Sequence, residues 1–320
     1  MQLTDFVHTL GDDLTRRYGE KIHKLTLHGA FTCPNRDGTL GRGGCTFCNV
    51  ASFADEQSQH QGIAEQLAAR ASEVARARRY LAYFQAYTST YAEVATLLLL
   101  FVVPLIADER GGRGAGTRPD CVPDAVLDLL AGYRARGFEI WLELGLQSAN
   151  DATLRRINRG HDYRAYESAV IRARSRGLKV CTHLIIGLPG ETAQDSLPTL
   201  QQVVQTGTDG IKLHPLHVVE GSTLAKAWRA ERLPVLTEEA YVEAAATLIQ
   251  HTPPEVIYHR VLATARRPTL LAPLWCENRW RPMNALTHYL MAHGVQGSAL
   301  GRPWSPLQVV AQPSTKTLLV

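Results

Sequence analysis

Residues 33–49 decide how the rest of this chain is interpreted, and they read Cys33-Pro34-Asn35-Arg36-Asp37-Gly38-Thr39-Leu40-Gly41-Arg42-Gly43-Gly44-Cys45-Thr46-Phe47-Cys48-Asn49. The stretch carries three cysteines, one fewer than a [4Fe–4S] cluster normally takes as ligands. A cluster held by three thiolates keeps one iron open for another ligand. We therefore interpret the stretch as the cluster site of an enzyme rather than as a closed structural metal site.

The composition is that of an ordinary globular protein, with 45% hydrophobic and 20% charged residues and a formal charge of +4. This mildly basic balance permits a nucleic-acid partner but does not argue for one. The first residues carry no secretory signal, and the most apolar run, residues 97–106, is too short to span a bilayer. We expect a cytoplasmic protein without membrane contact, in which clustered cysteines bind metal or act in catalysis.

The other three cysteines, Cys121, Cys181 and Cys276, lie far apart in the sequence. A solitary cysteine in such a protein usually behaves as a small buried hydrophobe. We expect that role for all three.

Strand-like and helix-like segments alternate along most of the chain, as is typical of βα units around a parallel sheet. Strands are predicted at residues 24–28, 80–87, 138–146, 178–186, 210–218 and 256–262. Helices are predicted at residues 63–79, 123–136, 163–176, 193–206, 238–250 and 279–293, with another beginning near residue 91. The pattern indicates a full or partial α/β barrel, with the chemistry at the carboxyl ends of the strands.

One segment breaks this alternation. A strand is expected before residue 116, but residues 108–115 contain three glycines and two arginines, which favour a loop. Residues 97–106 are apolar on every face and could be a buried helical turn or a displaced strand. We expect either that residues 97–106 supply the missing strand or that the barrel is defective at this point.

Six further motifs follow the cysteine loop: Tyr83-Phe84-Gln85-Ala86-Tyr87, Gly116-Thr117-Arg118-Pro119-Asp120, Glu143-Leu144-Gly145-Leu146-Gln147-Ser148, Asn158-Arg159-Gly160-His161, Gly187-Leu188-Pro189-Gly190-Glu191-Thr192 and Lys212-Leu213-His214-Pro215-Leu216. Together they resemble the radical S-adenosylmethionine (radical SAM) superfamily over residues 3–293. The gap of eleven residues between Cys33 and Cys45 resembles the bacterial YhcC-type group, which is itself similar to the elongator catalytic subunit and to oxygen-independent coproporphyrinogen oxidase.

The resemblance implies a partial (β/α) barrel of about six parallel strands with flanking helices. Residues 1–300 would form this domain, including an N-terminal helix and a C-terminal helical extension, and residues 301–320 would form a loosely ordered tail. The implied enzyme uses one [4Fe–4S] cluster to cleave S-adenosylmethionine reductively, giving a 5′-deoxyadenosyl radical that acts on an unknown substrate. An electron donor such as flavodoxin or ferredoxin is the implied partner.

The resemblance also implies site residues. Cys33, Cys45 and Cys48 would hold the cluster, and the cofactor would be bound by Gln85, Ala86, Tyr87, Glu143, Gln147, Arg159, His183 and Gly187. For Glu143 a salt bridge with Arg118 is an equally good interpretation, and Arg159 could be an exposed helix residue. His183 replaces the aspartate of coproporphyrinogen-oxidase-like enzymes, and a satisfied core histidine is a slightly better interpretation of it.

Substrate contact is a further hypothesis for four residues near predicted strand ends, His214, His217, His259 and Arg260. Two other functions stay open. The chain could be a radical enzyme that modifies an RNA base, with tRNA as partner, by analogy with the elongator subunit. It could also be a non-catalytic protein that binds zinc or a cluster, with a histidine as fourth ligand.

Overall fold

In this computed structural model, which describes residues 1–50, 61–74, 80–85, 87–107 and 112–306, seven parallel strands form one curled sheet. The strands are β1 (His23–Leu27), β2 (Tyr80–Phe84), β3 (Gly112–Thr117), β4 (Ile140–Gln147), β5 (Lys179–Ile186), β6 (Gly210–Pro215) and, after a short strand β7 (Val218–Val219), β8 (Ile257–Arg260). Their order in the sheet is β1-β2-β3-β4-β5-β6-β8, and β7 pairs separately with β9 (Leu270–Ala272).

Helices flank this sheet, and most of them cover its outer face. They are α1 (Leu10–Tyr18), α2 (Ile63–Glu73), α3 (Val94–Ala107), α4 (Asp124–Ala135), α5 (Asp151–Arg156), α6 (Tyr163–Ser175), α7 (Ser196–Thr206), α8 (Thr223–Arg229), α9 (Glu238–Gln250) and α10 (Trp280–His293). The predicted fold class, a partial (β/α) barrel with flanking helices, is confirmed, with seven parallel strands where about six were predicted. Within the described part of the chain, no helix has both the length and the apolar character needed to cross a membrane.

The two faces of the sheet differ in chemistry, and β4 shows this most clearly. Ile140, Leu142 and Leu144 are buried in the hydrophobic core on one face. Glu143 and Gln147 belong to the opposite face. Because side chains alternate along a strand, a sequence with apolar residues at every second position buries one face against helices and offers the other to the barrel interior. The interior of this barrel is polar around Glu143 and apolar nearer the amino ends of the strands, where Leu81, Trp141, Cys181 and Ile257 cluster.

The third strand lies where the sequence argued against one. The glycine-rich β3 pairs with β2 on one side and β4 on the other, while residues 97–106 fall within α3. The expectations that residues 97–106 supply the missing strand or that the barrel is defective here are therefore wrong, whereas the helical alternative for residues 97–106 is confirmed. A Cβ on Gly114 would lie 3.1 Å from the Tyr83 ring, and one on Gly116 would lie 3.1 Å from the Tyr83 hydroxyl. Glycine at these two positions gives Tyr83 room to cross the strand inside the barrel.

The N-terminal segment covers the free edge of β8. The Tyr258 N–H donates to the His8 carbonyl at 2.8 Å, and Thr9 forms a parallel bridge with Tyr258. Trp304 stacks on the His8 ring at a centroid distance of 4.3 Å, so the first residues after position 300 pack on the barrel. Residues 307–320 lie outside the described residues, and the division into a domain of residues 1–300 and a loose tail stays a prediction.

Candidate functional site

A cavity of about 770 Å³ lies at the carboxyl ends of the strands, where α/β barrels place their active sites. Its wall brings together most residues selected from the sequence: Cys33, Cys45, Cys48, Gln85, Tyr87, Gln147, Arg159, His183, His214, His217, His259 and Arg260. Ala86 lies outside the described residues, and neither Glu143 nor Gly187 lines the cavity.

Backbone hydrogen bonds shape the cysteine loop on this wall. The Cys33 carbonyl accepts from the Arg36 N–H at 2.8 Å, and the Cys45 carbonyl accepts from the Cys48 N–H at 3.0 Å. Cys45 is buried, whereas Cys33 and Cys48 are half-buried, and none of the three forms a disulfide. Three free thiols thus line one cavity and can coordinate a common group.

Gly43 and Gly44 give the loop its tight turn, with φ angles of +88° and +81°. These values belong to the left-handed region that glycine adopts without strain. A Cβ on Gly44 would also lie 2.8 Å from Arg36 Nε. Glycine here lets the Arg36 guanidinium pass behind the loop, where Nη2 donates to the Cys48 carbonyl at 2.8 Å.

A second set of contacts joins the loop to the segment after α5. Asn35 Nδ2 donates to the Asn158 carbonyl at 2.8 Å and lies 3.6 Å from Cys45 Sγ. The buried Arg159 donates from Nε to the Gly145 carbonyl at 3.1 Å, and its Nη1 lies 3.5 Å from the same sulfur. A buried guanidinium and an amide N–H beside Cys45 can stabilise negative charge on that sulfur.

These contacts bear on the predictions for Arg159. The interpretation as an exposed helix arginine is wrong, because the residue is only 7% exposed. The guanidinium lines the cavity, but it is held by the Gly145 carbonyl and directed at Cys45. The geometry favours contact with a group bound by the cysteines.

Two cavity residues have strained backbones. Tyr87 has a φ angle of +58°, and Gln147, at the end of β4, has a φ angle of +83°. Residues other than glycine rarely adopt such angles, and when they do they cluster at functional sites. At Gln147 the strain accompanies a register irregularity between Gly145 and Gln147. This irregularity changes the direction of the Gln147 side chain at the cavity wall.

A fully buried carboxylate lies at the centre of the barrel. Glu143 Oε1 accepts from Lys24 Nζ and pairs with His259 Nδ1, both at 3.1 Å. Its Oε2 pairs with His183 Nε2 at 2.9 Å and accepts from Lys212 Nζ. Burying a carboxylate is costly unless it is paired and hydrogen-bonded, and Glu143 satisfies both conditions with side chains of the chain itself.

Glu143 therefore lacks the surroundings expected of the cofactor-binding residue that the resemblance implied. Its two oxygens are held by four side chains and it does not line the cavity, which argues against its assignment as a cofactor ligand. The alternative salt bridge is wrong, since Arg118 pairs with Asp120 at 2.7 Å. Sequence alone does not say which inward-facing residues of a barrel meet.

These contacts determine the pKa values of the ionisable side chains in the barrel. Burial favours the neutral acid, but Lys212, Lys24 and the histidine hydrogen bonds hold the pKa of Glu143 well below its usual range. Burial lowers the pKa of Lys212 to about 7, although the carboxylate opposes this shift. Burial and the neighbouring Lys212 lower the pKa of His183 to about 4, so its ring is neutral at pH 7.

Gly187 has a packing role. Its φ angle is +88°, and a Cβ there would lie 2.8 Å from the Leu236 side chain. The structure thus accounts for glycine at this position by backbone conformation and by contact with Leu236. The predicted contact with a cofactor finds no support in the cavity wall.

The solitary cysteines behave as predicted. Cys121, Cys181 and Cys276 are each at most 7% exposed. Burial raises the pKa of Cys121 to about 12, which makes it a poor metal ligand and a poor nucleophile. The prediction that these three residues are buried hydrophobes is confirmed.

The donor set of the cysteine loop does not fit a compact zinc site. Zinc–sulfur bonds of ~2.3 Å in a tetrahedron hold the sulfurs ~3.8 Å apart. Within the described ranges, the only trio of candidate ligand atoms closer than 4.8 Å to one another is Glu143, Cys181 and His183 in the barrel centre. At least one pair of the loop sulfurs therefore lies more than 4.8 Å apart, a separation that a multi-iron cluster can bridge.

Sequence reasoning assigned no role to four residues of the site. Lys24, Tyr83 and Lys212 surround Glu143 in the barrel, with Lys212 Nζ donating to the Tyr83 hydroxyl at 3.0 Å, and Asn35 supports the cysteine loop. For the three barrel residues, the sequence signal was a polar residue at alternate positions of an otherwise apolar strand, and a residue at such a position faces the barrel interior. Asn35 in the cysteine loop had no such signal.

Comparisons with known proteins agree with this geometry. The model of the radical SAM superfamily matches residues 35–203, and that of the Radical_SAM C-terminal domain matches residues 208–292. The chain is 65% identical over 306 residues to protein YhcC of Escherichia coli (strain K12), covering 96% of this chain and 99% of that protein. It is 36% identical over 291 residues to the uncharacterized protein YtqA of Bacillus subtilis (strain 168), covering 90% of each.

Among solved structures, the archaeal Elp3 of Methanocaldococcus infernus with an N-terminal deletion is similar in fold. The TM-score is 0.63 at 16% sequence identity, covering 86% of this chain and 64% of that one. At this identity the likeness concerns the fold alone.

Proposed function

The chain belongs to the radical SAM superfamily, whose enzymes use a [4Fe–4S] cluster and S-adenosylmethionine, and from this premise we propose that Cys33, Cys45 and Cys48 are the cluster ligands. The observation that carries the proposal is the presence of these three free thiols on the wall of one cavity at the carboxyl ends of the strands. When bound, the cluster supplies the electron that cleaves S-adenosylmethionine into methionine and a 5′-deoxyadenosyl radical, which abstracts hydrogen from the substrate.

The chain's own residues prepare the cluster ligands. Arg159 and Asn35 direct N–H groups at Cys45 Sγ and stabilise the charge on that sulfur. Arg36 donates to the Cys48 carbonyl and so helps to fix the conformation of the loop. Hydrogen bonds to ligand sulfurs also tune the reduction potential of a cluster.

We propose that S-adenosylmethionine lies across the ends of β2 and β4. Gln85 and Tyr87 would offer backbone groups to its amino group, and Gln147 would contact the ribose. Support comes from their place on the cavity wall and from the strained φ angles of Tyr87 and Gln147. His183 lines the same wall while bonded to Glu143, so it can contact the cofactor only through its outer edge.

An external electron donor can approach the cluster through the loop itself. Residues 37–40 are exposed and directly follow Cys33 and Arg36 in the loop. A short path from solvent to the cluster favours transfer from a small redox protein such as flavodoxin or ferredoxin. A tRNA partner stays a prediction, since no feature of the described residues favours it over a small molecule.

The test is anaerobic reconstitution with ferrous iron and sulfide, followed by reduction with dithionite in the presence of S-adenosylmethionine. We expect a brown protein with about four irons per chain. Chromatography should detect 5′-deoxyadenosine and methionine in equal amounts. A colourless protein that contains zinc and yields no 5′-deoxyadenosine would contradict the proposal.

A further inference from the structure

Apart from its cysteines, tyrosines and histidines, all the ionisable side chains on the cavity wall are cationic. They are Arg36, Arg118, Arg159, Arg260, Arg279 and Lys212. No aspartate or glutamate is among the described residues that line it. A concave surface with charges of one sign attracts ligands of the opposite sign, so the cavity selects for anions.

Most of these cations have a partner within the protein. Arg118 pairs with Asp120, and Lys212 pairs with Glu143. Arg159 is held by the Gly145 carbonyl, and Arg36 by the Cys48 carbonyl. The last two belong to the cysteine loop and its support, where they face the charge of the thiolates.

Two cations of the wall are different, because no residue that the structure describes accepts a hydrogen bond from the guanidinium of Arg260 or Arg279 or forms an ion pair with it. Arg279 is exposed and its Cζ lies 4.5 Å from the centroid of the Trp280 ring, whereas Arg260 has no such contact among the described residues. Arg260 is half-buried and lies at the end of β8. Ile211 pairs with Tyr258 and Lys212 pairs with Arg260, so His259 is an extra residue in β8. This irregularity lets His259 and Arg260, although consecutive, both reach the barrel interior, as β-bulges near active sites commonly do.

Two ring nitrogens on the same wall as Arg260 also lack partners. Nε2 of His214 and Nε2 of His217 are buried, and no described residue hydrogen-bonds with either. Both rings line the same cavity as Arg260, and His214 lies on β6 two residues after Lys212, which pairs in register with Arg260. Burial lowers the pKa of both rings, so each is neutral at pH 7 and carries one N–H. His214 can donate this hydrogen bond to an anion, whereas His217, which also interacts with the Ala263 backbone, donates to an anion only in the tautomer that carries the proton on Nε2.

Building on the proposed function, we infer that the substrate carries a carboxylate or phosphate group and that Arg260, His214 and His217 bind this group. A planar guanidinium binds either anion through two parallel hydrogen bonds. The unpaired, half-buried Arg260 and the two unpartnered nitrogens are the groups that such an anion would satisfy. Arg260 on β8 pairs with Lys212 on β6, so the anion would bind at the β6–β8 side of the cavity.

The test uses calorimetric titration of cluster-loaded protein with inorganic phosphate and, separately, with succinate, at an ionic strength held constant with chloride. We expect the wild-type protein to bind at least one of the two, and the tighter of them assigns the anion as phosphate or carboxylate. Arg260→Gln should weaken this binding roughly 10- to 100-fold, the range for losing hydrogen bonds to a charged group. The control Arg302→Gln, at an exposed arginine that does not line the cavity, should bind like wild type.

Cleavage of S-adenosylmethionine without any added anion is the second measurement. Arg260→Gln should cleave it as wild type does, because the inferred role concerns the substrate. The inference is wrong if neither anion binds to wild type, if Arg260→Gln binds as tightly, or if Arg260→Gln loses S-adenosylmethionine cleavage. Failure of the wild-type protein to cleave S-adenosylmethionine would instead contradict the proposed function, so the two failures are distinguishable.

Discussion

Replacing Cys45 with alanine is expected to abolish iron binding and S-adenosylmethionine cleavage while leaving most of the fold intact. A cluster held by three thiolates loses a corner iron when one ligand is removed, and the two remaining cysteines cannot hold a stable cubane. Cys45 is also the cysteine at which Arg159 and Asn35 direct their N–H groups, so no neighbouring side chain can replace it. Iron content after reconstitution and 5′-deoxyadenosine yield are the measurements.

The matched control is Cys121→Ala. Cys121 is as buried as Cys45, at 7% against 6% exposure, but it does not line the cavity with the cysteine loop. It should keep the iron content and cleavage of the wild type. Cleavage retained by Cys45→Ala, or iron lost from Cys121→Ala, would show that the ligands are assigned wrongly.

The second large effect concerns stability. Glu143→Gln removes the only carboxylate in contact with Lys24 and Lys212 among the described residues. Removing one partner of a buried ion pair leaves an uncompensated charge, which costs about 3–5 kcal/mol of unfolding free energy. Urea unfolding of the cluster-free chain at pH 7 should show this loss as a lower midpoint.

A double variant separates charge from packing. Without the carboxylate of Glu143, the charge of Lys212 is unpaired, so removing Lys212 as well should cost little. The double variant Glu143→Gln/Lys212→Gln should therefore be more stable, by at least about 1 kcal/mol of unfolding free energy, than the sum of the two single-variant losses predicts. Glu255→Gln, which removes an exposed ion pair with Arg302, is the control and should change the midpoint little. Equal midpoints for Glu143→Gln and Glu255→Gln would refute the role of Glu143 as the charge centre of the barrel.

The elements that sequence patterns predicted well are those whose own residues determine them. Helix α9 begins and ends at the predicted residues, Glu238 and Gln250, because Thr237 caps it and its apolar positions repeat along one face. Strand β5 differs from its prediction by one residue, since a run of apolar residues between glycine-bounded loops is typical of a buried parallel strand.

Strand β3 was missed for a different reason. Its glycines have low intrinsic preference for strands, and only the ring of Tyr83 from the neighbouring strand explains their presence. The information lies in a contact between residues about thirty positions apart. No local pattern contains it, so propensity was overridden by tertiary packing.

The residues of the site also differ in whether local sequence or tertiary contacts determine them. The cysteine loop, Gln85, Tyr87 and Gln147 could be selected because motifs and strand ends mark them, and the structure gathers them at one cavity. The partners of Glu143 could not be selected, because they come from β1, β5, β6 and β8 and meet only when the sheet curls. The side-chain period of each strand predicts an inward direction, but the curvature of the sheet decides which inward groups touch.

The most direct test of the central claim is electron paramagnetic resonance of the anaerobically reduced protein, recorded before and after addition of S-adenosylmethionine. If Cys33, Cys45 and Cys48 hold a cluster with one open iron, the reduced protein gives a paramagnetic signal whose shape changes when the cofactor binds that iron. A signal that S-adenosylmethionine leaves unchanged, or the absence of any signal from iron-loaded protein, would contradict it.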